Sequence, residues 1–176
     1  MSKFQFKSTI VTALLSAALF VSVSTKAKDD SEQSGTQNSQ NQSQMLELWK
    51  PGDTGQRMRI RGRVTDADGS PLPNVKIRFR HADSEGVNRS YFQGELETNR
   101  RGVYQFGSVI PGNNHRLSHV HVYISHPGFR YVDTEFYFKD DPKANPDDPN
   151  AIFLEASETD GEKMMYGRWD ITLTPQ

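Results

Sequence analysis

Residues 58–81 read MRIRGRVTDADGSPLPNVKIRFRH. In an extended chain Met58, Ile60 and Val64 share one face while Arg59, Arg61 and Arg63 share the other, because successive side chains of a strand alternate. The same period of two returns in VKIRFRH from Val75. Between the two runs, Asp68-Gly69 and two prolines supply turn chemistry, so a hairpin-like pair of strands is expected. Further strands are predicted at Gly94 to Thr98, Val103 to Ile110, His119 to Ser125, Tyr131 to Phe138, Ile152 to Glu155 and Trp169 to Leu173. After residue 27 no helical period of useful length occurs. Short strands punctuated by Gly, Pro, Asn and Asp point to an all-β protein, a β-sandwich. Its core takes Phe79, Phe106, Phe136 and Phe138, which makes these rings packing groups rather than a ligand platform.

Chemistry concentrates in PGNNHRLSHVHVYISH, residues 111–126, which holds four of the five histidines. In a strand, His119, His121 and Tyr123 face one way and Val120, Val122 and Ile124 the other. Two residues of rise separate the imidazoles by about 6.6 Å, within reach of one ion held between the rings. Imidazole suits zinc, copper, iron and nickel alike, so the pair does not choose the metal. A bare HxH is equally a polar strand face with two solvated histidines. His81 and His126 are expected at strand ends on the surface.

The chain has 176 residues, a net charge of −1 and no cysteine. The near-neutral balance argues against a general nucleic-acid or membrane-surface binder, since both need a cationic excess. Arginines at 57–63 and 78–80 alternate with apolar residues and read as solvated strand faces rather than a phosphate track. Without cysteine there are no disulfides, thiolate sites or lipid-anchored cysteine, so any metal is held by nitrogen and oxygen.

Lys3 and Lys7 precede an apolar run from Ile10 to Val23, and Thr25 and Ala27 follow with small side chains, the pattern of a cleaved secretory signal over residues 1–27. The run is short for a bilayer span. Export to the periplasm or the medium follows, with no membrane association after cleavage. Residues 28–47 are rich in Ser, Gln and Asn and read as a disordered tether; the folded domain takes residues 48–176. Lys139 to Asn150, KDDPKANPDDPN, reads as a solvated acidic loop.

Four blocks in register, residues 48–86, 98–112, 115–122 and 133–142, resemble the intradiol ring-cleavage dioxygenases, the protocatechuate and catechol enzymes. The resemblance implies a β-sandwich with its site between the sheets. It also implies one ferric non-haem ion held by two tyrosines and two histidines, and dioxygen-dependent cleavage of a catechol between its hydroxylated carbons. His119 and His121 match the family's HxH ligands, Arg116 the arginine before them, and Glu135 a position where the family usually has glutamine. Arg116 would stabilise charge moving onto the ring as oxygen attacks. Tyr104 in GVYQF matches a structural tyrosine.

The tyrosine ligands do not carry over, for Asn88 and Asn114 stand at their positions. An amide is neutral and accepts no proton usefully, whereas a phenolate stabilises Fe(III). Tyr91, three residues beyond Asn88, could replace the first tyrosine if its loop shifts. His115, His119 and His121 with Glu135 also offer a different donor set: two histidines and a carboxylate would suit Fe(II), three histidines and water would suit Zn(II). Three functions stay open: an exported iron dioxygenase acting on a small aromatic substrate with dioxygen, a catalytically inactive sandwich that binds a ligand or partner, and a divalent-metal protein. Association into a homo-oligomer is a further expectation of the resemblance.

Overall fold

The computed structural model describes residues 45–176 apart from 114 and 160; the expected signal, most of the tether and Asn114 lie outside the described residues. All regular structure among these is strand. β1 (Met45–Glu47), β2 (Arg57–Thr65), β5 (Val103–Val109), β9 (Leu154–Thr159), β10 (Glu162–Arg168) and β11 (Ile171–Thr172) form one sheet in the order β1-β5-β2-β10-β9, with β11 on β2. β3 (Lys76–Ala82), β4 (Asn88–Glu97), β6 (His119–Ser125), β7 (Val132–Phe138) and β8 (Ala151–Ile152) form the second, in the order β4-β3-β6-β7-β8.

The alternation read from residues 58–81 is present, but its two runs do not pair with each other. β2 lies in the first sheet between β5 and β10, and β3 lies in the second between β4 and β6. The turn at Asp66 to Ser70 closes on the Asp66 carboxylate, and the chain then crosses from one sheet to the other. Both strands keep their apolar side inward: Met58, Ile60 and Val64 meet Val75, Ile77 and Phe79 across the core. A hairpin and a sheet-to-sheet crossing show the same period of two, so alternation alone could not separate them.

The sheets are clamped by aromatic pairs. Phe79 stacks on Phe106 at 4.3 Å with planes 5° apart, one ring from each sheet, and Phe136 meets Trp169 at 5.2 Å. All four expected core phenylalanines are buried. Fully buried Tyr104 donates its hydroxyl to the Trp169 carbonyl at 2.7 Å, tying the last strands to β5. Gly62 holds the inward position between Ile60 and Val64 because a Cβ there would lie 1.9 Å from that same carbonyl. The sheet begins at Met45, earlier than the boundary at 48, since Met45 to Glu47 pair with Gln105 to Gly107.

Candidate metal centre

β6 buries Val120, Val122 and Ile124, which turns His119 and His121 to the outward face of the second sheet. The site is therefore not between the sheets. On β7, Glu135 pairs directly with His121, so the carboxylate projects from that same face. His119, His121 and Glu135 each offer a ligand atom, all within 4.8 Å of one another.

Hydrogen bonding fixes the first imidazole. His119 Nδ1 lies 2.6 Å from the Leu117 carbonyl, which can only accept, so Nδ1 carries the proton and Nε2 presents its lone pair. That Nε2 is 3.2 Å from His121 Nε2. Glu135 Oε2 lies 4.0 Å from His119 Nε2 and 3.8 Å from His121 Nδ1. Burial, then the neighbouring His119, holds His121 below the usual imidazole pKa, with Glu135 opposing. Its neutral, ligating form is favoured.

These distances fit an ion. Two imidazole nitrogens each about 2.0–2.1 Å from one metal lie roughly 3–3.4 Å apart at ordinary ligand angles, the spacing the two Nε2 atoms already have. Glu135 supplies a hard anionic oxygen on the open side.

A cleft of about 200 Å³ opens over the histidines, walled by Asn88, Asn113 and Arg116. One wall is the turn between β3 and β4, the other the connection from β5. They meet at Gly112, whose amide donates to the Asp83 carbonyl at 2.8 Å and where a Cβ would lie 2.4 Å from the backbone of Ser84 and Gly86. Buried Ser118 pins the start of β6: its hydroxyl donates to the Pro111 carbonyl at 2.6 Å and its amide to the Asp141 carboxylate at 3.0 Å. Asp141 comes from the acidic loop, so part of that loop anchors the site. Burial pushes the Asp141 carboxyl up; the amides of Lys143 and Ser118 outweigh this and hold it below the ordinary range.

Two residues singled out as ligands stand apart. Tyr91 is fixed within β4, its hydroxyl donating to Asp53 at 2.9 Å, and lines a separate hollow beside Arg89. The bond to Asp53, with burial, raises its pKa, which disfavours the phenolate a metal would need. His115 is exposed, has a φ of +68° and lies outside the donor group, its carbonyl accepting from Lys143 Nζ at 3.1 Å.

The expectation of a surface histidine is corrected at 81 and not at 126. His81 is buried beneath the cleft, its Nδ1 donating to the Ala82 carbonyl at 2.6 Å and its Nε2 accepting from Ser108 at 2.8 Å. Burial lowers its pKa to about 4 against the pull of that carbonyl and of Asp83. The signal was present: Val75, Ile77, Phe79 and His81 share one parity. His126 is half-buried against Phe129, ring centroids 5.2 Å apart.

Residues 33–175 match a protein-family model described as Dioxygenase. The chain belongs to the intradiol dioxygenase family. It is 32% identical over 118 residues to catechol 1,2-dioxygenase 2 of Acinetobacter lwoffii, covering 51% of this chain and 42% of that protein. It is 26% identical over 136 residues to chlorocatechol 1,2-dioxygenase of Rhodococcus opacus, covering 60% and 51%. The chain thus spans about half or less of these relatives. Two solved structures share the fold. Catechol 1,2-dioxygenase from Pseudomonas arvilla C-1 superposes with a TM-score of 0.67 at 21% identity, over 74% of this chain and 56% of that one. The dioxygenase domain of a dioxygenase carbohydrate-binding protein fusion from Streptomyces sp. SirexAA-E does so at 0.63 and 23%, over 77% and 92%. The intradiol family depends on non-haem iron(III), and here His119, His121 and Glu135 form a group that could bind a metal.

Proposed function

We propose that the chain holds a non-haem iron ion through His119, His121 and Glu135 and uses it in the oxidative opening of a small catechol-type aromatic by dioxygen. The observation that carries this is the pair of Nε2 atoms 3.2 Å apart beside a carboxylate, at the foot of a cleft. Iron, when bound, supplies the means of joining dioxygen to a catechol. The protein's own contribution is positioning and charge. Arg116 lines the cleft and brings a positive charge, suited to a deprotonated catechol and to charge developing on its ring. Asn88 and Asn113 offer amide groups to the substrate hydroxyls. Glu135 is the group at hand to take a catechol proton, since an asparagine cannot.

The donor set also favours a second reading of the metal. Two neutral imidazoles and one carboxylate bring a single negative charge, which suits Fe(II) or Zn(II) better than the two-phenolate set suits them. We propose as well that the chain is exported, supported by the basic and apolar order of residues 3–23.

Oxygen uptake and ring-opened product are measured with catechol after loading with Fe(III), Fe(II) and Zn(II). Turnover with iron alone, lost in Arg116→Ala with metal still bound, is expected. Stoichiometric metal without turnover of any catechol would reject the dioxygenase reading and leave the metal protein.

A further inference from the structure

A broad cleft lies on the first sheet, on the face turned away from the core. It encloses about 640 Å³, a volume in the range of ligand sites. Four adjacent strands contribute: Val103 from β5, Arg61 and Arg63 from β2, Tyr166 and Arg168 from β10, Glu155 from β9. Three inter-strand steps of about 4.8 Å make it about 14 Å long, longer than any single aromatic or sugar ring.

Its chemistry is not that of an ordinary solvated face. Arg168 is paired with Asp170 at 2.7 Å. Arg61 and Arg63 alternate outward on β2, both exposed, and among the described residues neither guanidinium has a hydrogen-bond or ion-pair partner. Two large apolar side chains stand exposed in the same cleft, Phe153 at 57% and Tyr166 at 41%. Free guanidinium forks match carboxylates bidentately, and exposed aromatic faces support the apolar C–H faces of sugar rings. Glu155 remains available to accept hydrogen bonds from hydroxyls. Charge, aromatic platforms, hydroxyl acceptors and length together describe a chain of sugar rings bearing carboxylates.

We propose that this face binds an acidic oligosaccharide, with Arg61 and Arg63 holding its carboxylates and Tyr166 and Phe153 supporting its rings. The proposal is independent of the metal centre.

The whole chain is titrated calorimetrically with a galacturonate trimer, a neutral glucose trimer and 4-hydroxybenzoate. Wild type, Arg61→Gln/Arg63→Gln, Tyr166→Ala and His119→Ala/His121→Ala are compared. The galacturonate trimer is expected to bind, more weakly as salt rises. Loss of the charged hydrogen bonds should weaken it about tenfold or more, Tyr166→Ala should weaken it measurably, and the histidine variant should leave it unchanged. The face variants alter exposed side chains, so unchanged thermal melts are expected alongside. The proposal is overturned if the trimer does not bind, if the neutral trimer binds as well, or if only 4-hydroxybenzoate binds. Binding removed by the histidine variant, or untouched by the face variants, overturns it too, as does sedimentation showing a dimer of this chain that Arg61→Gln/Arg63→Gln dissociates.

Discussion

The outward faces of the two sheets arise from the same alternation and end up chemically unlike. On the second sheet His121 lies between Arg80 on β3 and Glu135 on β7, and His119 stands two positions along its own strand, so nitrogen and oxygen donors converge within 4.8 Å. On the first sheet the residues flanking Arg61 are Gln105 and Arg168, and the arginines on β2 fan out over a broad cleft. A period of two decides only which side chains face water. What a face can do is decided by the strand that pairs with it. Convergent donors make a point site for an ion, whereas spread charges suit an extended partner.

The contrast is broken most severely by His119→Ala/His121→Ala. Metal affinity should fall by more than the roughly hundredfold cost of losing a group that only supports a ligand, read by metal analysis after dialysis. Arg61→Gln/Arg63→Gln should leave metal affinity where it was. Phe79→Ala removes the ring that clamps the sheets from between the two faces. It should cost about 3–5 kcal/mol of stability in a urea titration, with both faces failing together rather than one.

His81 gives a smaller, pH-dependent effect confined to the metal side. Its folded pKa of about 4 lies below the ordinary 6.5, so its contribution to stability is complete above pH 6.5. That contribution is lost as pH falls towards 4, where the unfolded chain binds the proton more readily. Between pH 7 and pH 5 this amounts to about 2 kcal/mol, and His81→Gln should flatten that part of the urea-midpoint profile. Asp141→Asn weakens the anchor of Ser118 and should cost about 1 kcal/mol, given its exposure to solvent. A modest drop in metal affinity should accompany it, since the start of β6 is less firmly held.

Much of this was legible in the residues. The alternation at 58–64 and 75–81 identified the inward side chains, and HxH with Glu135 pointed to the donors that cluster on one face before any pairing was known. Strand partners were not legible, because a tight turn and a crossing both follow Thr65 with Gly, Pro and Asp. β10 was not legible since EKMMYGR shows no clean period: its residues run from exposed to half-buried without a fully buried position. Tyr91 is close in sequence to Asn88, yet three residues along a strand is a shift of about 10 Å with the side chain reversed. The anchoring role of Asp141 depends on a contact with Ser118, 23 residues away, which no local pattern encodes.

Whether His119, His121 and Glu135 together hold the metal is tested by X-ray absorption on the iron- or zinc-loaded full chain, wild type against Glu135→Gln. We predict one metal per chain with two imidazole nitrogens and a carboxylate oxygen in wild type, and in Glu135→Gln loss of the carboxylate contribution together with weaker binding. An unchanged metal environment and affinity in Glu135→Gln, or a visible tyrosinate-to-iron band in wild type, would contradict it and assign the anionic ligand to another residue.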